Sequence, residues 1–172
     1  YSQALEVCKS SNIAPDVMQV QLPYYQADRL LGAGVNDLEV NVYRLNSAFD
    51  PDFSGTGSQP LGFDQWASLY GEYRVIGSKI QVKAQAESAV QSGFIVAPLS
   101  TSAGLVVREQ YQEQTYSKSQ TLGQDTQHGL GTITSYMPVS KILGGPSDIA
   151  LYDDNLRAQT STNPVKQFYW HV

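Results

Sequence analysis

At 172 residues the chain has the length of one domain with a substantial core, since a domain of this size buries roughly 70% of its unfolded surface. A single cysteine, Cys8, excludes an intramolecular disulfide, and no apolar run approaches the roughly 20 residues of a membrane-spanning helix. Eleven Lys and Arg against sixteen Asp and Glu give a net charge of −5, the wrong sign for a domain that must hold a polyanion unaided.

The elements follow in chain order. Val17, Val20, Leu22, Leu30 and Leu31 around Pro23 predict an interrupted strand over residues 17–31, suited to a sheet edge or bulge. Leu38, Val40 and Val42 alternate with Glu39, Asn41 and Tyr43, the period of a half-buried strand over 37–48. Asp50-Pro51-Asp52 and the Gly/Ser/Pro run at 54–60 then supply turn and loop chemistry. Phe63, Trp66, Ala67 and Tyr70 fall on one face of a short helix over 62–71, which should lie flat on a sheet with Trp66 in the core.

After Gly71 the period changes to two, predicting one long strand over 72–86. Ile76, Ser78, Ile80, Val82 and Ala84 face the core there, while Val75, Gly77, Lys79, Gln81, Lys83 and Gln85 face water. Residues 94–97 read as a short strand buried on both faces and closed by Pro98. Residues 99–127 read as a long polar excursion with one helical turn around 106–114, the kind of segment that forms outer surface or intersubunit contacts. A strand at 131–136, a short helix or turn at 137–143 and a stop at Gly144-Gly145-Pro146 come next, and the last elements lie at 148–152 and 166–172. No repeat or shift of composition divides the chain, so residues 1–172 form one β domain.

Charged residues make up 16% of the chain against a usual figure of about 25%. Ser, Thr, Gln, Gly and Tyr are plentiful, as in a β protein largely covered by neighbours or in a secreted lectin. Cys8 has no His or second Cys nearby in sequence and reads as an inert, part-buried residue. Asp50 with Asp52, or Asp153 with Asp154, could bind a divalent cation if a neighbouring subunit completed the oxygens it needs; as turn formers they need no metal. Glu109 and Glu113, one helical turn apart, read as a solvated turn sooner than an acid/base pair.

His128 and His171 stand 43 positions apart with no nucleophile elbow between them, and His171 reads as packed in the last strand. Gly129-Leu130-Gly131 and Gly144-Gly145-Pro146 lack the context of a phosphate loop. Tyr24, Tyr25, Tyr43, Tyr111 and Tyr152 could stack bases of single-stranded DNA, against a core or subunit-contact role. Lys79 and Lys83 read as a solvated strand face, with a nucleic-acid contact as the alternative. The residues thus predict a β sandwich with one helix and long polar loops, no enzyme site, no cofactor and no resident metal.

Several stretches carry a resemblance. Arg44-Leu45-Asn46-Ser47, Phe49-Asp50-Pro51-Asp52, Gln59-Pro60-Leu61-Gly62-Phe63-Asp64-Gln65-Trp66 with Tyr70, and Tyr73-Arg74-Val75-Ile76-Gly77-Ser78-Lys79-Ile80 are similar, in order and spacing, to capsid proteins of small circular Rep-encoding single-stranded DNA viruses, circovirus-like. Tyr116-Ser117-Lys118-Ser119-Gln120-Thr121-Leu122-Gly123, Tyr136-Met137-Pro138-Val139-Ser140-Lys141-Ile142-Leu143-Gly144 and Asn163-Pro164-Val165-Lys166-Gln167-Phe168-Tyr169-Trp170-His171-Val172 continue it, so that it covers roughly residues 17 to 172.

The resemblance implies a jelly-roll β-sandwich of two facing antiparallel sheets, with one short helix after the second strand and long inter-strand loops. It implies a subunit that assembles with itself into an icosahedral shell of about sixty copies around circular single-stranded DNA, found in the virion and, during assembly, in the host nucleus. It implies no membrane partner and leaves the host receptor unspecified. The genome would be held mainly by an Arg/Lys-rich arm preceding Tyr1, and a final strand would follow the 168–172 motif; the chain reads as trimmed of both. Subunit contacts of at least about 1,000 Å² per pair would cover apolar rims such as Leu99, Leu105 and Val106. The competing reading is a soluble carbohydrate- or receptor-binding β-sandwich that forms a small oligomer.

Overall fold

The computed structural model describes residues 15–29, 38–86, 92–123 and 129–172. The expectations for Cys8, Leu30, Leu31 and His128 lie outside them. The described chain is all-β, built from antiparallel pairs and a few short helices. In chain order the elements are β1 (Val42–Arg44), α1 (Phe63–Ala67), β2 (Glu72–Arg74), β3 (Gly77–Gln85), β4 (Ser92–Leu99), α2 (Arg108–Gln112), β5 (Lys118–Leu122), β6 (Leu130–Pro138), α3 (Val139–Leu143), α4 (Ile149–Tyr152), a 3-10 turn (Asp154–Leu156), β7 (Arg157–Gln159) and β8 (Tyr169–His171). One sheet has the order β1-β8-β4-β5, and two-stranded ribbons pair β3 with β6 and β2 with β7.

Period-two sequence builds the β3–β6 ribbon, whose register runs from Gly77 opposite Pro138 to Gln85 opposite Leu130. On β6, Gly131, Ile133, Ser135 and Met137 are buried while Leu130, Thr132, Thr134 and Tyr136 are exposed. On β3 the alternation holds from Ser78 to Gln85, with Lys79, Gln81, Lys83 and Gln85 outward. The single long strand expected over 72–86 is corrected: β2 pairs with β7, and the chain changes partner at Val75 and Ile76 before β3 begins. Ile76 is therefore exposed, and its carbonyl accepts from Val139 N instead. At Gly77, where β3 starts, a Cβ would sit 2.6 Å from the Tyr136 hydroxyl oxygen, so a larger residue there would push the exposed Tyr136 ring aside.

Other expectations are revised. Residues 17–29 form no strand; Val17 and Tyr25 are both 86% exposed, so their apolar side chains give the backbone no sheet to join. As a result α1 follows the first strand, not the second, and it is one of four short α-helices among the described residues. The strand expected over 37–48 is reduced to β1, whose pairing with the C-terminus extends by reciprocal bonds of 2.9 Å between Asn41 and Val172. Pro98 does not close β4. It lies inside the strand opposite Trp170, where β5, paired only with Ser92 to Val96, has left the other edge, so its missing donor is tolerated. The long excursion contains the expected helical turn, as α2, and also β5.

The four-stranded sheet is covered on both faces. Trp170 and Val96 belong to a cluster with Leu45, Ile133, Met137, Val139, Ala150, Leu156 and Phe168, which joins the sheet to the β3–β6 ribbon. On the opposite face Ala97 and Leu99 pack with Tyr111 of α2, so Leu99 is core and not a rim for a neighbouring subunit.

Helix α1 starts at Gly62, whose φ of 87° suits glycine, and buries Phe63 edge-on against Tyr73, 5.7 Å between ring centres. Trp66 is only half-buried, tilted on Tyr70 at 6.2 Å, which corrects its placement in the core. Trp66→Ala should accordingly cost only about 1–2 kcal/mol, the transfer energy of part of a large ring, and Phe63→Ala clearly more. Paired chemical melts measure this; equal losses for the two variants would return Trp66 to the core.

Candidate functional site

Several of the motif residues meet in a polar seam that also forms part of the wall of a broad cleft. Arg44 Nη1 donates to Asp50 O at 2.9 Å, Asp50 Oδ2 at 2.8 Å and Asp52 O at 2.8 Å, while its Nε donates to Gln167 Oε1 at 3.0 Å. One guanidinium thus closes the Asp50-Pro51-Asp52 turn, which also bridges Tyr43 to Asp52, and ties it to the approach to β8. Asn46 is almost wholly buried: its Nδ2 donates to Lys166 O at 2.8 Å and its Oδ1 accepts from Phe168 N at 2.9 Å. The Ser47 hydroxyl donates to Asn163 Oδ1 at 2.6 Å and lies 3.1 Å from the Tyr73 hydroxyl, which donates to Thr162 O at 2.9 Å. Burial pushes the Tyr73 phenol above its ordinary value. Trp170 Nε1 donates to Ser78 Oγ at 3.0 Å. Residues near positions 44–52, 73–78 and 162–170 are therefore stitched together by side-chain bonds. Pro60, Gly62, Phe63, Asp64 and Gln65 form the entry and first turn of α1 beside it.

The carboxylates are already engaged. Asp52 accepts from Ser54 N at 2.9 Å and Gln26 Nε2 at 3.1 Å. Burial opposes its ionisation, but the bonds from Ser54 and Gln26 and the charge of Arg44 outweigh it and hold the carboxyl below its ordinary range. Asp153 is held low by Asn155, whose amide it accepts at 3.0 Å, and Asp154 lies 3.8 Å from Arg74 and 3.7 Å from Arg157. No group of three His, Cys, Asp or Glu that could hold a metal occurs among the described residues. Glu109 and Glu113 stand exposed on and just after α2.

The tyrosines separate sharply. Tyr111 is core, which removes it from the candidates for base stacking. The Tyr43 and Tyr24 hydroxyls bond Asp28 and Gln26 respectively. Burial first, and Asp28 and Asp52 after it, push the Tyr43 phenol well up; burial and Asp52 also raise Tyr24. Tyr25 and Tyr152 remain exposed, as do Lys79 and Lys83. A broad cleft of about 3110 Å³ opens beside residues 16–29, β1 and β3, with Tyr70, Ile80 and Val82 among its walls. It far exceeds the roughly 300–1,000 Å³ of small-ligand pockets. No family model, curated protein or solved structure matches the chain.

His171 is buried and fully bonded. Thr101 O can only accept, so His171 Nε2 carries the proton across that 2.8 Å contact. Nδ1 is then an acceptor for the Tyr111 hydroxyl at 3.1 Å, and that oxygen accepts from Leu105 N at 2.9 Å. Burial pushes the imidazole below its ordinary value of 6.5. A histidine with a lowered folded pKa binds its proton more readily when unfolded, so its contribution is complete above pH 6.5 and is lost as pH falls through and below that value. The melting temperature should therefore hold level from pH 8 to about 6.5 and decline toward pH 5. His171→Gln should remove that decline; an equal decline in the variant assigns it to other groups.

Proposed function

We propose that this chain is a jelly-roll capsid subunit of a circular Rep-encoding single-stranded DNA virus, assembling with itself into a closed icosahedral shell of about sixty copies. The observation that carries the reading is the seam: the stretches resembling those capsid proteins, far apart in sequence, are the ones bonded to one another through Arg44, Asn46, Ser47 and Trp170. Exposed apolar side chains at Leu61, Val106 and Val165 supply surface that neighbouring copies cover. The role is structural, with no catalytic step, and belongs to the virion and the host nucleus during assembly. A basic segment outside the domain holds most of the genome, because a body of net charge −5 displaces few counterions from phosphates.

Electron microscopy and sedimentation of the purified protein test the reading. Closed shells, with each neighbour pair burying at least about 1,000 Å², are the expected result. A chain that stays strictly monomeric at high concentration and neutral pH overturns it, and a discrete small oligomer that binds glycans favours the carbohydrate- or receptor-binding sandwich.

A further inference from the structure

Charge is segregated in this acidic chain. Residues 73–86, 92–107, 114–123 and 129–147 contain no Asp or Glu, yet they hold Arg74, Lys79, Lys83, Lys118 and Lys141. The β3–β6 ribbon, β4, β5 and α3 therefore form a locally cationic region; Glu87 and Asp125 lie outside the described residues.

Within it two aromatic and two cationic side chains lie on or beside β5, β6 and α3. Tyr116 has a φ of 72°, a left-handed conformation that a bulky residue adopts only under the constraint of its surroundings, and such residues gather at functional sites. Its ring lies 4.3 Å beneath the Lys141 ammonium. The next residue, Ser117, has a buried hydroxyl with no hydrogen-bond partner among the described residues. Lys118 follows, and its ammonium donates to Thr134 O at 2.6 Å. Two residues along β6 from Thr134 stands Tyr136, facing outward, 61% exposed and directly opposite Lys79 in the register. Two partly exposed aromatic rings and three lysines thus lie on or beside the neighbouring β3, β5, β6 and α3.

We infer that Tyr116, Lys118, Tyr136 and Lys141, with Lys79, form a contact site for single-stranded nucleic acid. One unpaired base stacks on the open face of Tyr136, and Lys79, Lys118 and Lys141 meet the adjoining phosphates. An aromatic platform flanked by cations suits unpaired bases, whose π-faces are free, and it is tolerant of sequence. The choice of nucleic acid as partner rests on the capsid reading; the geometry does not. The site is weak alone: three lysines on a single strand give a slope of log affinity on log salt of about −2.

The test is fluorescence anisotropy of a labelled short oligothymidylate against the 172-residue chain at several salt concentrations. Tyr136→Ala should weaken binding about tenfold, while Tyr136→Phe keeps it. Lys118→Gln and Lys141→Gln should each weaken binding and reduce the salt slope by about 0.7. Arg157→Gln, on β7 and paired with Glu72 at 3.2 Å, should bind as the parent does. Parental binding by Tyr136→Ala, or heparin fragments competing with equal strength in the parent and in that variant, overturns the site. Electron microscopy of the same preparations separates the two readings. Shells without oligonucleotide binding overturn the contact site alone, and Tyr136-dependent binding without shells upholds it while overturning the capsid reading.

Discussion

Trp170→Ala is expected to cost about 3 to 5 kcal/mol, a large part of the roughly 5–15 kcal/mol that holds a domain together. Trp170 is 2% exposed at the centre of β8, opposite Tyr43 on β1 and Pro98 on β4. Its ring fills the layer between the sheet and the β3–β6 ribbon, and its indole N–H spans that layer to Ser78 Oγ. Removing the ring leaves a cavity that three strands cannot all collapse into. Trp170→Phe should lose only about 1–2 kcal/mol, the hydrogen bond and part of the volume. Urea melts of the two variants provide the measurement, and a loss below about 1 kcal/mol for the alanine variant would refute the central role given to the ring.

Asn46→Ala is expected to be nearly as damaging for a different reason. Its amide satisfies a part-buried carbonyl and a buried amide of the 166–168 segment at 2.8 and 2.9 Å; the buried Phe168 N–H left bare costs about 1–3 kcal/mol, and the part-buried Lys166 carbonyl adds less. Asn46→Asp keeps the acceptor for Phe168 N but turns an anion toward Lys166 O, so it should not rescue. Hydrogen exchange reports on the bond directly: the Phe168 amide should lose protection in the alanine variant far more than Ile133 does. Unchanged protection at Phe168 would show that the side chain does not hold it.

What the sequence disclosed was what local periodicity controls. The β3 and β6 alternation, the helical turn before Gln114 and the short helix ended by Gly144 were legible because side-chain spacing alone decides them. The break at Val75 and Ile76 was not, since both residues continue an apolar run and only β7, more than eighty positions later, calls the chain to another partner. β5 was hidden by its sequence, Lys-Ser-Gln-Thr-Leu, which lacks alternating apolar residues because it rests on β4 and leaves most of its side chains in water. Trp66 was misplaced because a helical wheel ranks faces but not depth. The motif residues Arg44, Asn46 and Trp170 were visible as a set, whereas their partners, mostly backbone atoms, leave no mark in sequence. Tyr116 and Lys141 could have been suspected only from the long stretches without acid.

The position of β8 sets a timetable for folding. Its strand neighbours are β1 and β4, on either side, so two earlier segments have no shared partner until residues 169–171 are made. The four-stranded sheet therefore closes only once residues 169–171 are available, through contacts of very long sequence separation, which form slowly. Until then β1 and the end of β4 carry open strand edges, the surfaces most prone to pair with another chain. Yield in a cell should depend on how long nascent chains are kept apart, and deleting residues 169–172, which removes β8, should prevent the four-stranded sheet from forming.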